Sequence, residues 1–374
     1  MKGKLTAQNY AFAYSVGLVR TLETKLLNEN EVERMMLAKD AKEAFKILNE
    51  TDYADNKTGI ENPADFQEVL SEGISDIKNI LKKVSPSSQI LNIVWLQYDF
   101  HNLKTLVKAK HTGKSYEEVK HLMSNLGGIK PKKLQSLVMD EEEVLLKIGE
   151  KEHAVAYLKK HIKKVETIWE ERKDPQAIDF YLDQKLVRMM YSFTINKQSY
   201  FLSEQLRPMI RFSGTLLKAQ PEITFLHRYM KKFIDLNNIR LFFRMKLQKK
   251  EYDWFFLAYF RDGNVPIGKY KDAYSKKLSE FPETMKHTQY GKLIEDGFKH
   301  FEEEGSLLYL ETLIENKLTD HLKEAKQMAF GPQPLVSFFL AKLNNALVIR
   351  MIMVHKLNNV NPEEIRKRLR KLYV

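Results

Sequence analysis

The segment Thr112–Gly113–Lys114–Ser115 carries the residue types that end a phosphate-binding loop. That chemistry needs a glycine five residues ahead of the Gly–Lys pair and a strand leading into the loop, so that backbone amides can wrap the phosphates. Lys108 stands at the glycine position, and the residues before it have helical spacing. The segment therefore reads as a helix stop followed by a new helix, with Ser115 and Glu118 as its cap. No Gly-x-Gly-x-x-Gly, His-Glu-x-x-His or nucleophile elbow occurs. The ten histidines include no pair at i, i+4. His153 and His161 read as surface histidines, because no nearby carboxylate pattern completes a metal set. The acidic runs Glu141–Glu143 and Glu302–Glu304 read as solvated helix faces, since consecutive helical positions cannot converge on one ion. There is no cysteine, which excludes disulfides, thiolate metal sites and cysteine nucleophiles and fits a reducing compartment. The expectation is no catalytic, cofactor-binding or metal-ligating residue.

One pattern does recur. It runs Asp99, Asn102, Leu103, Lys104, Lys110, Val119; then Asp235, Asn238, Ile239, Arg240, Lys246, Phe255; then Val348, Ile349, Arg350, Lys356, Ile365. In each, a basic residue follows an aliphatic one, a lysine comes six positions later, and a large apolar residue nine after that. The markers Lys104, Arg240 and Arg350 lie 136 and then 110 residues apart. Intervals of that size indicate three copies of a helical unit, each a small bundle. A buried-edge asparagine and a snorkelling basic side chain can fix how two helices cross. Taken singly, these residues build helix pairs, and function lies in the assembled shape.

The elements around the motif are helical. Apolar spacing of three and four predicts helices over Tyr10 to Leu27, Ile90 to Ala109, Glu152 to Lys173, Gln176 to Ile195, Ser199 onward, Ile223 to Gln248, Tyr290 to Glu303, Leu307 to Met328 and Leu335 to Leu357. Asp40 with Glu43, Pro63, and Asn361 with Pro362 mark further helix starts. Only 15 Gly and 11 Pro interrupt 374 residues, and no segment alternates long enough to be a strand. Gly127–Gly128–Pro131 and Gly263–Pro266 are the breaks. They divide the chain into repeats over residues 1–126, 127–262 and 263–374.

The net charge is +12, but lysines alternate with acidic residues over most helices, as on a solvated surface. Aromatic residues at helical spacing belong to cores, and a nucleic-acid module would interleave them with arginine. No window reaches the ~20 apolar residues of a membrane span, and Val348 to Val354 carries Arg350 in its middle. The residues alone leave open a helical-repeat scaffold that binds an acidic partner or nucleic acid.

Tyr98–Asp99–Phe100–His101–Asn102–Leu103–Lys104 resembles the "YD-x-x-N-L-K" segment of the C subunit of archaeal and vacuolar-type rotary ATPases, whose eukaryotic counterpart is the d subunit. Gly17 to Arg20 with Leu26–Leu27 is similar to that family's opening helix, and Leu48, Thr51 and Tyr53 to the close that follows it. Asp235 to Arg240 matches its second "D-x-x-N-I-R". Gly331 to Leu335, Ala341–Lys342, Ile349–Arg350 to Lys356 and Pro362 to Arg366 are similar to its C-terminal signature. The resemblance departs at Leu18, Leu343, Asn345 and Val348, and Ser199 to Pro221 is longer than the family norm. It implies an all-α fold of three lobes in a pseudo-threefold funnel, with no catalysis and no cofactor. It also implies a peripheral place on the cytoplasmic face of the membrane, holding the central shaft subunits in a socket on the proteolipid rotor ring, with no nucleic acid and no small-molecule substrate. The signature residues Asp99, Asn102, Lys104, Lys110, Asp235, Asn238, Arg240, Lys246, Arg350 and Lys356 are candidates for building that socket.

Overall fold

Capping side chains set where some of the helices begin. A computed structural model describes residues 11–53, 60–86, 88–140, 154–195 and 221–374. All regular structure there is helical, with no strand among the described residues. The first helices are α1 (Ala13–Glu23), α2 (Glu29–Leu37), α3 (Ala41–Asn49) and α4 (Phe66–Val84). Asn28 accepts from the Glu31 amide, and the Glu31 carboxylate accepts from the Asn28 amide, a reciprocal cap that starts α2. Asp40 accepts from the Glu43 amide at 2.8 Å, while Glu43 reaches back to the Lys39 amide rather than to Asp40. The predicted helix to Leu27 stops at Glu23 instead. Leu26 and Leu27 are buried just beyond it, where the chain turns to free Asn28 as a cap.

Among the described residues, nine α-helices follow: α5 (Ser88–His111), α6 (Tyr116–Val119), α7 (Pro131–Val138), α8 (Ala154–Arg172), α9 (Pro175–Ile195), α10 (Pro221–Leu247), α11 (Tyr252–Ala258), α12 (Ile267–Tyr274) and α13 (Phe281–Met285). The last described helices are α14 (Gly291–Glu304), α15 (Leu308–Lys323), α16 (Gln333–Leu357) and α17 (Pro362–Arg366). The expected helix from Ser199, the length of Ser199 to Pro221, Glu141–Glu143, His153 and the start at Tyr10 lie outside the described residues.

The chain forms two compact units, residues 1–86 with 285–374 and residues 87–284. In the first, α16 is the central element, and α1, α3 and α4 pack against it. Its core includes Val19, Phe45, Leu48, Ile349 and Ile352, all essentially sealed from solvent. In the second, α9 packs against α5, α8, α10 and α11, and Leu96, Phe100, Leu103, Ile178 and Leu182 share one core. Aromatic rings fill the other end of this unit. Phe242 stacks on Phe281 at 3.9 Å and meets Phe255 edge-on at 5.9 Å, geometries that add to simple burial.

From the sequence, every window falls short of a membrane span. Among the described residues, α16 does meet that test by length and composition, because its charges are widely spaced. Of its apolar window, 67% is buried inside the protein, so packing accounts for most of that apolarity.

Candidate functional site

Asp99 and Asn102 stand one turn apart on α5, both buried. The Asn102 amide pairs with both backbone groups of Ser124, donating to its carbonyl at 2.8 Å and accepting from its N–H at 2.8 Å. The Asp99 carboxylate accepts from the amides of Gly128 and Ile129 at 3.0 and 2.8 Å. These partners lie 22, 29 and 30 residues along the chain. On α10 the same spacings return. Asn238 pairs with both backbone groups of Phe260, and Asp235 accepts from the amides of Asn264 and Val265, again at 22, 29 and 30 residues. Side chains thus satisfy the amides of a returning loop that would otherwise be buried unpaired.

The approach is close enough to dictate a glycine. A Cβ on Gly127 would lie 2.2 Å from a carboxylate oxygen of Asp99, and one on Gly263 would lie 2.2 Å from Asp235. Both glycines read as plain chain breaks in the sequence. The signal that distinguishes them is their common offset from the aspartate, 28 residues in each copy.

The third copy keeps the latch with other residues. Asn345 stands where the aspartate stood, and buried Val348 replaces the asparagine. With its amide oxygen turned toward Leu27, Asn345 accepts from the Leu27 N–H at 2.7 Å. The returning segment here comes from the N-terminal part of the chain. Helices α7, α12 and α2 each begin two residues after the latched amide, at Pro131, Ile267 and Glu29. The sequence pattern gives no hint that residues around Leu27 complete the last motif helix.

The basic positions divide by role. Lys246 donates to the carbonyls of Tyr274 and Lys276 at 2.9 and 2.8 Å, at the end of α12. Lys356 donates to the Ala38 carbonyl, at the end of α2. Both satisfy carbonyls that a helix C-terminus leaves open. Burial holds the Lys356 ammonium below the usual lysine range, with Glu43 and Asp40 opposing. Lys110 lies 3.7 Å from Glu166. Lys104 pairs with Asp183 at 2.8 Å, and Lys108 with Asp179 at 3.0 Å. Burial raises the Asp183 carboxyl above its ordinary range, and Lys104 pulls it back. Arg240 donates to Asn237 at 3.2 Å on its own helix. Arg350 is exposed. Apart from exposed Arg350, the signature residues therefore each hold their own contacts along their motif helices.

One cluster escapes the sequence pattern. Lys342, 1% exposed, lies 3.7 Å over the Tyr53 ring and 3.3 Å from Asp52. The Tyr53 hydroxyl donates to the Lys342 carbonyl at 2.6 Å. These residues are 289 apart in the chain, beyond the reach of any local pattern.

The phosphate-loop lookalike is a helix end. Gly113 adopts φ +69 after α5, and the Ser115 amide and hydroxyl both donate to Glu118. His161 corrects the surface reading: it is buried, with Nδ1 2.6 Å from the Tyr181 hydroxyl. Glu302–Glu304 is exposed at the end of α14. No group of three potential metal ligands occurs among the described residues.

Comparison with known proteins adds to this geometry. The family model for the ATP synthase (C/AC39) subunit matches residues 15–368. The C subunit of the V-type sodium ATPase of Enterococcus hirae is 27% identical, covering 95% of this chain and 97% of its own. The C subunit of the A-type ATP synthase of Methanocaldococcus jannaschii is 23% identical, covering 96% and 86%. Its counterpart in Methanothermobacter thermautotrophicus is also 23% identical, over 96% and 88%.

Proposed function

The chain belongs to the ATP synthase (C/AC39) subunit family, and from that premise we propose that it couples the rotating shaft of a rotary ATPase to the membrane proteolipid ring. It is a non-catalytic member of a V-type or A-type complex. The observation that carries the coupling reading is the extent of the match, which runs from residue 15 to residue 368 through both compact units. The likeness thus takes in both units, and is not that of one domain grafted onto other chemistry.

In this reading the three copies, over residues 1–126, 127–262 and 263–374, form lobes of a funnel that takes the shaft subunits at one end. The other end rests on the proteolipid ring at the cytoplasmic face of the membrane. Support comes from the latch offsets that recur in two copies and from the third latch at Asn345. A coupling element must resist twisting, and packed helices whose return loops are pinned by buried side chains supply that stiffness. The test is reconstitution of the complex with shaft and ring subunits, scored as ATP hydrolysis coupled to ion movement. Coupling is expected only with this chain present. Full coupling in a complex that lacks it would overturn the proposal.

A further inference from the structure

Helix α16 carries apolar residues on its solvent-facing side as well as on its packed side. Leu347, Val354 and Leu357 are 43%, 39% and 40% exposed, and Leu340 and Leu343 are half-buried. A helix apolar all round is normally enclosed. The exposed positions have a definite order. Leu340, Leu347 and Val354 recur every seven residues, and so do Leu343, Arg350 and Leu357, three positions behind them. That is the a/d seam of a coiled coil, about 25 Å long, with one charged residue near its middle.

The same helix side in the other two copies is different. Displacement by the repeat intervals gives Val94, Gln97, His101, Lys104, Lys108 and His111 on α5, and Met230, Phe233, Asn237, Arg240, Arg244 and Leu247 on α10. The ends of these rows are partly apolar, but where α16 has Leu347 and Val354 they carry His101 and Lys108, and Asn237 and Arg244. Of the three motif helices, only α16 carries aliphatic residues at both of these central positions, and Arg350 has no hydrogen bond or ion pair with any described residue. Its counterpart Lys104 meets Asp183 of α9, and Lys108 meets Asp179 one turn away. On α5, then, the cations on that side of the motif helix are answered by carboxylates on a neighbouring helix, whereas Arg240 on α10 donates to Asn237 of its own helix.

We propose that the α16 seam docks one helix of another subunit of the complex, with aliphatic residues at heptad spacing and a carboxylate opposite Arg350. The inference rests on the coupling reading above and names the surface through which this chain would be held. Charge selects this occupant. Two copies of α16 paired seam to seam would bring their arginines together near the centre, which disfavours self-association. A lipid surface calls for a basic border beside the apolar face, and the seam's neighbours on the helix are Asn344, Met351, His355 and Asn358. A lone cation inside an apolar seam fixes register with a matching anion.

The experiment places a photo-crosslinking amino acid at Leu347, and as a control at His101, the same seam position in the first copy. Each full-length variant is assembled with the shaft and ring subunits and irradiated. Arg350→Glu and Arg350→Lys are measured for affinity to the same assembly, with helicity recorded to confirm folding. The expected result is a crosslink from Leu347 to a heptad-patterned helix of another subunit, absent from His101. Arg350→Glu is expected to weaken assembly about tenfold or more, and Arg350→Lys far less. A lysine in place of the facing carboxylate should restore the Arg350→Glu variant. A crosslink to a second copy of this chain overturns the proposal. So does retention of Leu347-labelled protein by phosphatidylglycerol vesicles in place of the expected crosslink, or unchanged affinity of Arg350→Glu. Should the unmodified chain not assemble at all, the coupling reading falls first and this one with it.

Discussion

A carboxylate that accepts two buried backbone amides cannot be shortened without stranding both donors. Asp235→Ala should therefore destabilise the second unit by about 2–4 kcal/mol, read by urea unfolding. Gly263→Ala should also destabilise it, because the new methyl would overlap a carboxylate oxygen of Asp235. The two effects share that oxygen, so the double variant should lose less than the sum of the single ones. Strict additivity would mean that carboxylate and glycine do not meet. Alkaline pH probes the same region. Burial, with Asp235 adding, pushes the Tyr259 phenol up to about 12 from 10.0. A folded-state pKa above the unfolded one stabilises the protein below pH 10, and that contribution is lost as pH rises toward about 12. Tyr259→Phe should flatten this part of the alkaline loss seen by circular dichroism. It should also lower stability at neutral pH, because the 3.1 Å bond to the Val265 carbonyl disappears.

At the scale of elements, α16 depends on a distant part of the chain. Leu27, Ala38 and Tyr53 supply partners to Asn345, Lys356 and Lys342. Removing residues 1–53 should expose these buried polar groups and strip hydrogen-exchange protection from α16, while amides of α5 and α10 keep theirs. Equal loss across all three helices would contradict that division. Within α10, Ile239→Pro removes a helical hydrogen bond beside the Asn238 latch and should cost ~3 kcal/mol or more.

For the whole molecule, the proposed coupling would carry torque between three lobes and a ring of different symmetry, which would rule out a residue-by-residue lock all round. Most of the contact is then expected to be broad and individually weak, with the +12 charge assisting encounter. Reversing one scattered exposed charge, as in Lys292→Glu, should change the free energy of assembly by about 1 kcal/mol or less. Titration of the variant against shaft and ring subunits reads this directly. A large loss at Lys292 would show that the contact is concentrated there instead.

Local chemistry made much of this protein legible from its sequence. Helix periodicity, the caps at Asn361 and Ser115, and the glycine stop at Gly113 act over a few residues, so residue type and spacing determine them. The recurrence of Asp, Asn and a basic residue at fixed intervals likewise announced repeated helices before any fold was known. Tertiary structure alone decided what those residues hold. Asp99 and Asp235 pin loops 29 and 30 residues away. Asn345 pins a segment from the far end of the chain, and Lys342 finds Asp52 across 290 residues. Such pairings depend on where the chain returns after tens to hundreds of residues, and that is set by the packing of whole helices, which no local pattern encodes. The exposed seam of α16 was hidden for the same reason: an apolar stripe reads as core until the neighbours that would cover it are found elsewhere.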